Sequence, residues 1–338
     1  MKKFCRILFL NIILVFIVMQ SKSQDIHFSQ FYATPLLQNP ANAGFFNCDY
    51  RLVANYKQQW RSVTVPFTTF HASGDIRRIL KRDKGIIGIG LDASVDKAGD
   101  SKFTTTQFGL ALSIHKPLDK FNHHYFGGGL MLGMTSANID YTNLLFSDQY
   151  LAFNGIQLTQ ENLELSTLSY FDLSAGVSYN FIPPSFQNSF TMGAAVYHIN
   201  KPVKSFLGDD SSKVFRKIVL NMGANLHASE KFEFYPKIQY MNQGPNHEIL
   251  VGGFIRVDLD KMENSKYGVY LGPWYRWNDA WIIVTRFDID KMSIAFNYDL
   301  NTSDLAEVTE LKGGPELSII YIGCIPNFNK KQIFCPRF

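Results

Sequence analysis

The word Arg-x-Asp-x-Asp-Lys-Met occurs twice, once from Arg256 to Met262 (RVDLDKM) and again from Arg286 to Met292 (RFDIDKM). In an extended chain alternate residues share a face, so Arg256, Asp258 and Asp260 project together, as do Arg286, Asp288 and Asp290. Aspartates at i and i+2 can ligate a hard cation such as calcium, but neither word carries the spacing or the glycine of an EF-hand loop. Charge pairing is the simpler reading, with two strands one hairpin apart bringing both words to the same rim. His123-His124 lacks further ligands nearby and reads as a solvated turn. Asp209-Asp210, Glu307 and Glu310 read as loop charges that keep the surface soluble. There is no Gly-x-Ser-x-Gly elbow and no His-Glu-x-x-His zinc word. Nothing in the spacing singles out a lumenal hydrolase, so the expectation is a protein that is not an enzyme and uses no cofactor.

Cysteine chemistry depends on compartment, and the N-terminus points to export. Lys2, Lys3 and Arg6 precede an apolar run, Ile7 to Met19, followed by the small-residue site Ser21-Lys22-Ser23. That is the pattern of a secretory signal peptide over residues 1–23, with cleavage expected before Gln24. Cys5 lies ahead of the apolar run and so cannot be a lipoprotein acceptor at the cleavage site. Cys48, Cys324 and Cys335 remain, an odd number in a compartment that permits disulfides. Cys324 with Cys335 would close a short tail loop, contributing roughly 3 kcal/mol on chain-entropy grounds. Cys48 with Cys324 would instead staple the first strand to the last, and the residues leave both pairings, and the absence of any bridge, open.

Removing the signal also changes the charge balance. The chain has 33 basic and 29 acidic residues, a formal +4. That excess equals Lys2, Lys3, Arg6 and Lys22, so the exported chain is neutral and offers no electrostatic footprint for nucleic acid. No later segment approaches the ~20 apolar residues of a transmembrane helix.

Period-two alternation runs through almost everything else. In FDLSAGVSYNF, Phe171, Leu173, Ala175, Val177, Tyr179 and Phe181 oppose Asp172, Ser174, Gly176, Ser178 and Asn180. Phe108, Leu110, Leu112 and Ile114 likewise oppose Gly109, Ala111, Ser113 and His115, and small residues such as Gly127, Gly129 and Gly133 recur on the second face. Fourteen strands are predicted, at 50–60, 67–75, 86–97, 103–116, 125–139, 168–181, 190–200, 217–227, 232–241, 249–258, 267–277, 281–288, 292–300 and 316–324. Connections alternate between compact and long, the longest being 140–167, 201–216 and 301–315. An even strand number, long loops at one end and both termini at the other describe an all-β transmembrane antiparallel barrel of the outer membrane, with lipid outside and a polar lumen inside. Residues 24–48, rich in Asn, Pro and Gly, form an N-terminal arm able to sit in that lumen; residues 49–338 form the barrel and a short tail.

The chain ends add a resemblance. Phe28-Ser29-Gln30-Phe31, Asn39-Pro40-Ala41-Asn42-Ala43-Gly44, Lys57-Gln58-Gln59-Trp60 and Pro66-Phe67-Thr68, with GGPELSIIYIG around Glu316 and the terminal CPRF, resemble the PorP/SprF family of Bacteroidetes. These are outer-membrane proteins associated with type IX secretion and gliding. The resemblance spans the exported chain, departing from the family pattern at Gln59 and Phe67. It implies a barrel that assists secretion or surface attachment of a partner such as a large adhesin, alongside other type IX components. Anchoring to the cell wall would need another protein. The alternative from the residues alone is a channel for small solutes. Beside the resemblance, Asn39-Pro40 and Gly44 suit a tight turn steering the arm, and Trp60 suits an aromatic girdle.

Overall fold

The computed structural model describes residues 25–80, 85–144, 146, 149, 165–183, 188–206, 212–229, 231–259, 266–303 and 306–325. The expected signal segment, Asp209-Asp210, Asp260 and Cys335 lie outside them. Fourteen antiparallel strands close into one barrel: β1 (Tyr50–Gln59), β2 (Phe67–Ile79), β3 (Ile86–Ala98), β4 (Phe103–Pro117), β5 (His124–Asn138), β6 (Thr167–Phe181), β7 (Asn188–Tyr197), β8 (Lys217–His227), β9 (Phe232–Gln243), β10 (Asn246–Asp258), β11 (Tyr267–Arg276), β12 (Ala280–Ile289), β13 (Met292–Asn301) and β14 (Lys312–Gly323). Each strand pairs with its sequence neighbours, and β14 closes on β1 with Tyr50 opposite Gly323. No described helix is long and apolar enough to cross a membrane; the crossing elements are strands.

Alternation becomes an inside and an outside. In β1, Arg51, Val53, Asn55 and Lys57 are buried inward while Leu52 and Tyr56 are exposed outward; in β6, Ser174, Ser178 and Asn180 are buried while Phe171 and Val177 are exposed. Leu91, Phe108, Leu132, Leu271 and Ile283 extend the exposed apolar belt around the wall, as expected of a surface whose solvent is lipid. Of the strands that stop earlier than the alternation predicts, β1 ends before Trp60 and β7 before His198. Both residues take the left-handed conformation (φ 58° and 57°), which turns the chain out of the sheet.

The seam carries a disulfide between Cys48 and Cys324, across 276 residues of sequence. The tail pairing of Cys324 with Cys335 is therefore displaced, since Cys324 has one sulfur and barrel closure brings Cys48 beside it.

The lumen is polar over much of its wall, as expected, with Arg51, His71, Asp92, Asn297 and Glu316 among its buried groups, but one sector is apolar. Tyr235, Leu250, Phe254, Tyr270, Trp274, Ile282 and Val284 face inward from β9 to β12 and form an apolar core with Phe31, Tyr32 and Ala33. A fourteen-stranded wall is too wide for its own side chains to fill, and here a segment of the same chain fills it.

Candidate functional site

That segment runs down the lumen before β1 begins. At the outer end, which carries the longest connections, Asp25 meets Lys217 (3.2 Å) and Gln243 at the ends of β8 and β9. Short helical turns follow at Phe31–Ala33, Pro35–Gln38 and Pro40–Asn42. At the inner end Phe45 packs with Ile86 and Tyr125, and Arg77 donates to the carbonyl of Phe46. Nearly every arm residue from Phe28 to Phe46 is buried.

The family-like words from the two chain ends meet in this channel. The Glu316 carboxylate accepts from the backbone N–H of Ser29 (3.0 Å) and of Gln30 (2.8 Å), one oxygen to each. The Gln30 amide donates to Asn297 Oδ1 and to the Glu316 carbonyl. Ser29 Oγ donates to Asp299 (2.8 Å), which also pairs with Arg276 (2.9 Å). Lys57 donates to the His27 carbonyl (2.9 Å), and Phe28 packs on His71. A carboxylate chelating two successive N–H groups is a strong, charge-assisted grip on the main chain of the arm.

Below it the arm is held by rings. Tyr32 stacks on Trp274 (centroids 5.6 Å) and meets Phe254 edge-on (4.9 Å), while Phe31 meets Trp274 edge-on (5.4 Å). The Asn39-to-Gly44 word then lies on a bed of inward-facing glycines. Asn39 caps its own turn through the N–H of Ala41 and donates to the carbonyls of Val177 and Ala194. A Cβ at Gly129 would stand 2.4 Å from Ala41 N, one at Gly88 2.2 Å from Ala43 O, and one at Gly176 2.0 Å from Asn39 Oδ1. Gly44 takes φ +67° and donates its N–H to Asp75, itself paired with Arg51 (2.7 Å). Pro40 lies buried in the same turn. Trp60 stands apart, half-buried at the outer end of β1 against Phe67 (4.5 Å).

This geometry yields a paired prediction on adjacent residues. Gly129→Val is expected to force arm backbone out of its bed and destabilise the chain by about 3 kcal/mol. Gly128→Ala, with nothing within 4 Å of the new Cβ, is expected to be neutral. Thermal unfolding of the two variants checks it; equal midpoints would refute the tight seat.

The outer clasp carries a pH dependence. His198 Nε2 lies 2.6 Å from Asp25 and Nδ1 3.0 Å from Asp172, with Lys217 and Gln243 completing the surroundings of Asp25. Burial alone would depress His198, but Asp25 and then Asp172 outweigh it and raise it to about 9. Burial likewise pushes Asp25 up, and Lys217 with His198 outweighs it, holding the carboxylate far below its usual range. A histidine raised in the folded state stabilises fully below its ordinary value of ~6.5 and loses that contribution as pH climbs through about 9. Asp25 contributes above its ordinary ~4 and is lost only in strong acid. The protection of the amides of residues 25–28, taken relative to their intrinsic exchange rate at each pH, is therefore expected to fall between about pH 7 and 9, by an amount corresponding to about 3 kcal/mol at most. Asp25→Asn should flatten that profile.

The repeated words also come together. Arg256, Tyr270 and Arg286 are opposite one another on β10, β11 and β12. Both guanidinium groups lie over the Tyr270 ring, at 5.6 and 4.6 Å. Arg256 pairs with Asp258 (2.6 Å) and Glu233 (3.1 Å), Arg286 with Asp288 (2.9 Å), so the aspartates serve charge pairing. Among the described residues no three His, Cys, Asp or Glu side chains converge as metal ligands. His124 bonds Tyr179 (2.7 Å) and Glu310 pairs with exposed Lys312.

Sequence reasoning missed Asp25, His198, Asn297, Asp299 and Arg276 as arm-holding groups. The glycines on inward-facing positions were a visible signal, since small residues on one face of successive strands leave room for something else to lie there.

A family model described as "Type IX secretion system membrane protein PorP/SprF" matches residues 20–321. No curated protein matches the sequence. Solved structures similar to it include the Pseudomonas putida toluene transporter TodX, at 11% identity over 85% of this chain and 92% of that one, TM-score 0.49. The CymD monoaromatic hydrocarbon channel matches at 11% identity over 87% and 93%, TM-score 0.49. CdiB from Escherichia coli matches at 8% identity over 81% and 63%, TM-score 0.46.

Proposed function

The chain belongs to the PorP/SprF family of type IX secretion system membrane proteins, and from that premise we propose that this outer-membrane barrel assists one secreted partner protein to leave the cell or to stay attached to its surface. The partner class we assign is a large adhesin of the gliding type, met at the outer loops, with other type IX components as further contacts. The family match over residues 20–321 carries this reading. The filled lumen supports it in a second way. A barrel whose interior is taken up by its own arm is suited to scaffolding rather than to passing cargo through its centre, and the role is non-enzymatic.

Affinity purification tests it: the tagged, exported chain is extracted from the outer membrane in mild detergent and its companions are identified. Recovery of one large secreted protein or of type IX components is the expected result. A solitary barrel, repeatedly free of both, would overturn the proposal.

A further inference from the structure

The outer wall carries a preformed notch unrelated to the arm. Trp274 and Arg276 are buried inward, so Tyr275 between them faces out; Ala280 and Ile282 are buried inward, so Trp281 faces out. The two rings lie 4.7 Å apart at the outer ends of β11 and β12. With Asn278, Thr302 and Ser303 they line an open notch of about 490 Å³, in the ~300–1,000 Å³ range of small-molecule sites.

Its walls are fixed by hydrogen bonds. Asp279 accepts from the backbone of Thr302 (2.7 Å) and of Ser303 (3.1 Å) through its carbonyl. Its carboxylate accepts from Ser303 Oγ and pairs with Arg276 (2.9 Å). Tyr275 Oη accepts from the Asn278 N–H (3.3 Å). The site therefore requires little ordering before something binds.

Two observations identify the occupant. Exposed Ile283, the next outward position below Trp281, and Leu271, two outward positions below Tyr275, belong to the lipid-facing belt, so the notch adjoins that belt at its outer edge, at headgroup depth. Its lining is two aromatic faces, one amide and three hydroxyls counting that of Tyr275, with no carboxylate, ammonium or guanidinium group. Phosphate would find no cation there. A sugar ring, by contrast, offers an apolar C–H face for the rings and hydroxyls for the amide and hydroxyl groups. An aromatic girdle alone explains tryptophan at this depth, but not the fixed polar floor beside it.

We propose that the notch of Tyr275, Asn278, Trp281, Thr302 and Ser303 binds a sugar unit of an outer-leaflet glycolipid. The test uses the full exported chain in detergent with three probes: purified lipopolysaccharide, the oligosaccharide released from it by de-acylation, and phosphatidylethanolamine. Lipopolysaccharide is expected to raise the unfolding temperature and to remain bound in native mass spectrometry, and the free oligosaccharide to compete with it. Trp281→Ala should lower retention at least tenfold and Ser303→Ala should lower it measurably. Phe108→Ala, which removes an exposed aromatic from the lipid-facing belt on β4, should leave it unchanged. Equal stabilisation by phosphatidylethanolamine, failure of the oligosaccharide to compete, or equal losses in the Trp281 and Phe108 variants would each overturn the proposal.

Discussion

Deleting residues 25–46 while keeping residues 1–24 is expected to turn the barrel into a steady ion-conducting pore. The intact chain should pass on the order of a tenth of that current or less, because a fourteen-stranded wall encloses a lumen that side chains alone do not fill. The deletion removes Phe31 and Tyr32 from the Trp274 and Phe254 rings and empties the glycine bed. Water would then reach Glu316, Asp299 and Arg276, which it can solvate, so the wall has a means to survive. The Cys48–Cys324 seam is untouched. Heat-modified mobility on gels would report assembly, and planar bilayer recordings the conductance. If the intact chain already conducts as freely as the deletion, the arm is no plug, and the solute-channel reading gains what the scaffold reading loses.

Glu316→Ala should release the outer half of the arm without opening the barrel wall. Glu316 is 1% exposed and is the acceptor for two successive buried N–H groups. Its loss leaves both unpaired at roughly 1–3 kcal/mol each, so a combined cost of about 3 kcal/mol is expected. That corresponds to roughly a hundredfold faster amide exchange at Ser29 and Gln30, with the inner half near Ala43 and Gly44 unaffected because Asp75, Ser113 and the glycine bed hold it separately. Glu316→Gln keeps one acceptor oxygen, and its amide group opposes the other N–H, so it should fall between wild type and alanine. Unchanged exchange at Ser29 and Gln30 in the alanine variant would remove Glu316 from the clasp.

Arm and wall read differently from sequence because their signals have different ranges. A strand's inside and outside are set by nearest neighbours, so FDLSAGVSYNF alone shows which of its residues face lipid. Phe171 is 74% exposed and Ser174 2%. The charge pairing of the Arg-x-Asp words was legible for the same reason, since Arg256 pairs with Asp258 and Arg286 with Asp288 two residues on; that Tyr270 of β11 lies between the two arginines comes from two successive strand registers. The arm has no period to read. Its contacts join Ser29 to Glu316 and Asn39 to Val177 and Ala194, across most of the chain. Likeness to family words marked these residues as worth attention without showing what they touch.

By itself, then, the sequence determined a fourteen-stranded outer-membrane barrel, the lipid-facing side of each strand and the end bearing the long loops, all of which follow from local alternation and turn length. Only the tertiary structure decided that the lumen is filled by residues 25–46, that Glu316 grips the arm, and that Cys48 rather than Cys335 meets Cys324. Each of those depends on closing β14 onto β1, and closure is a property of the whole sheet that no short stretch of residues encodes.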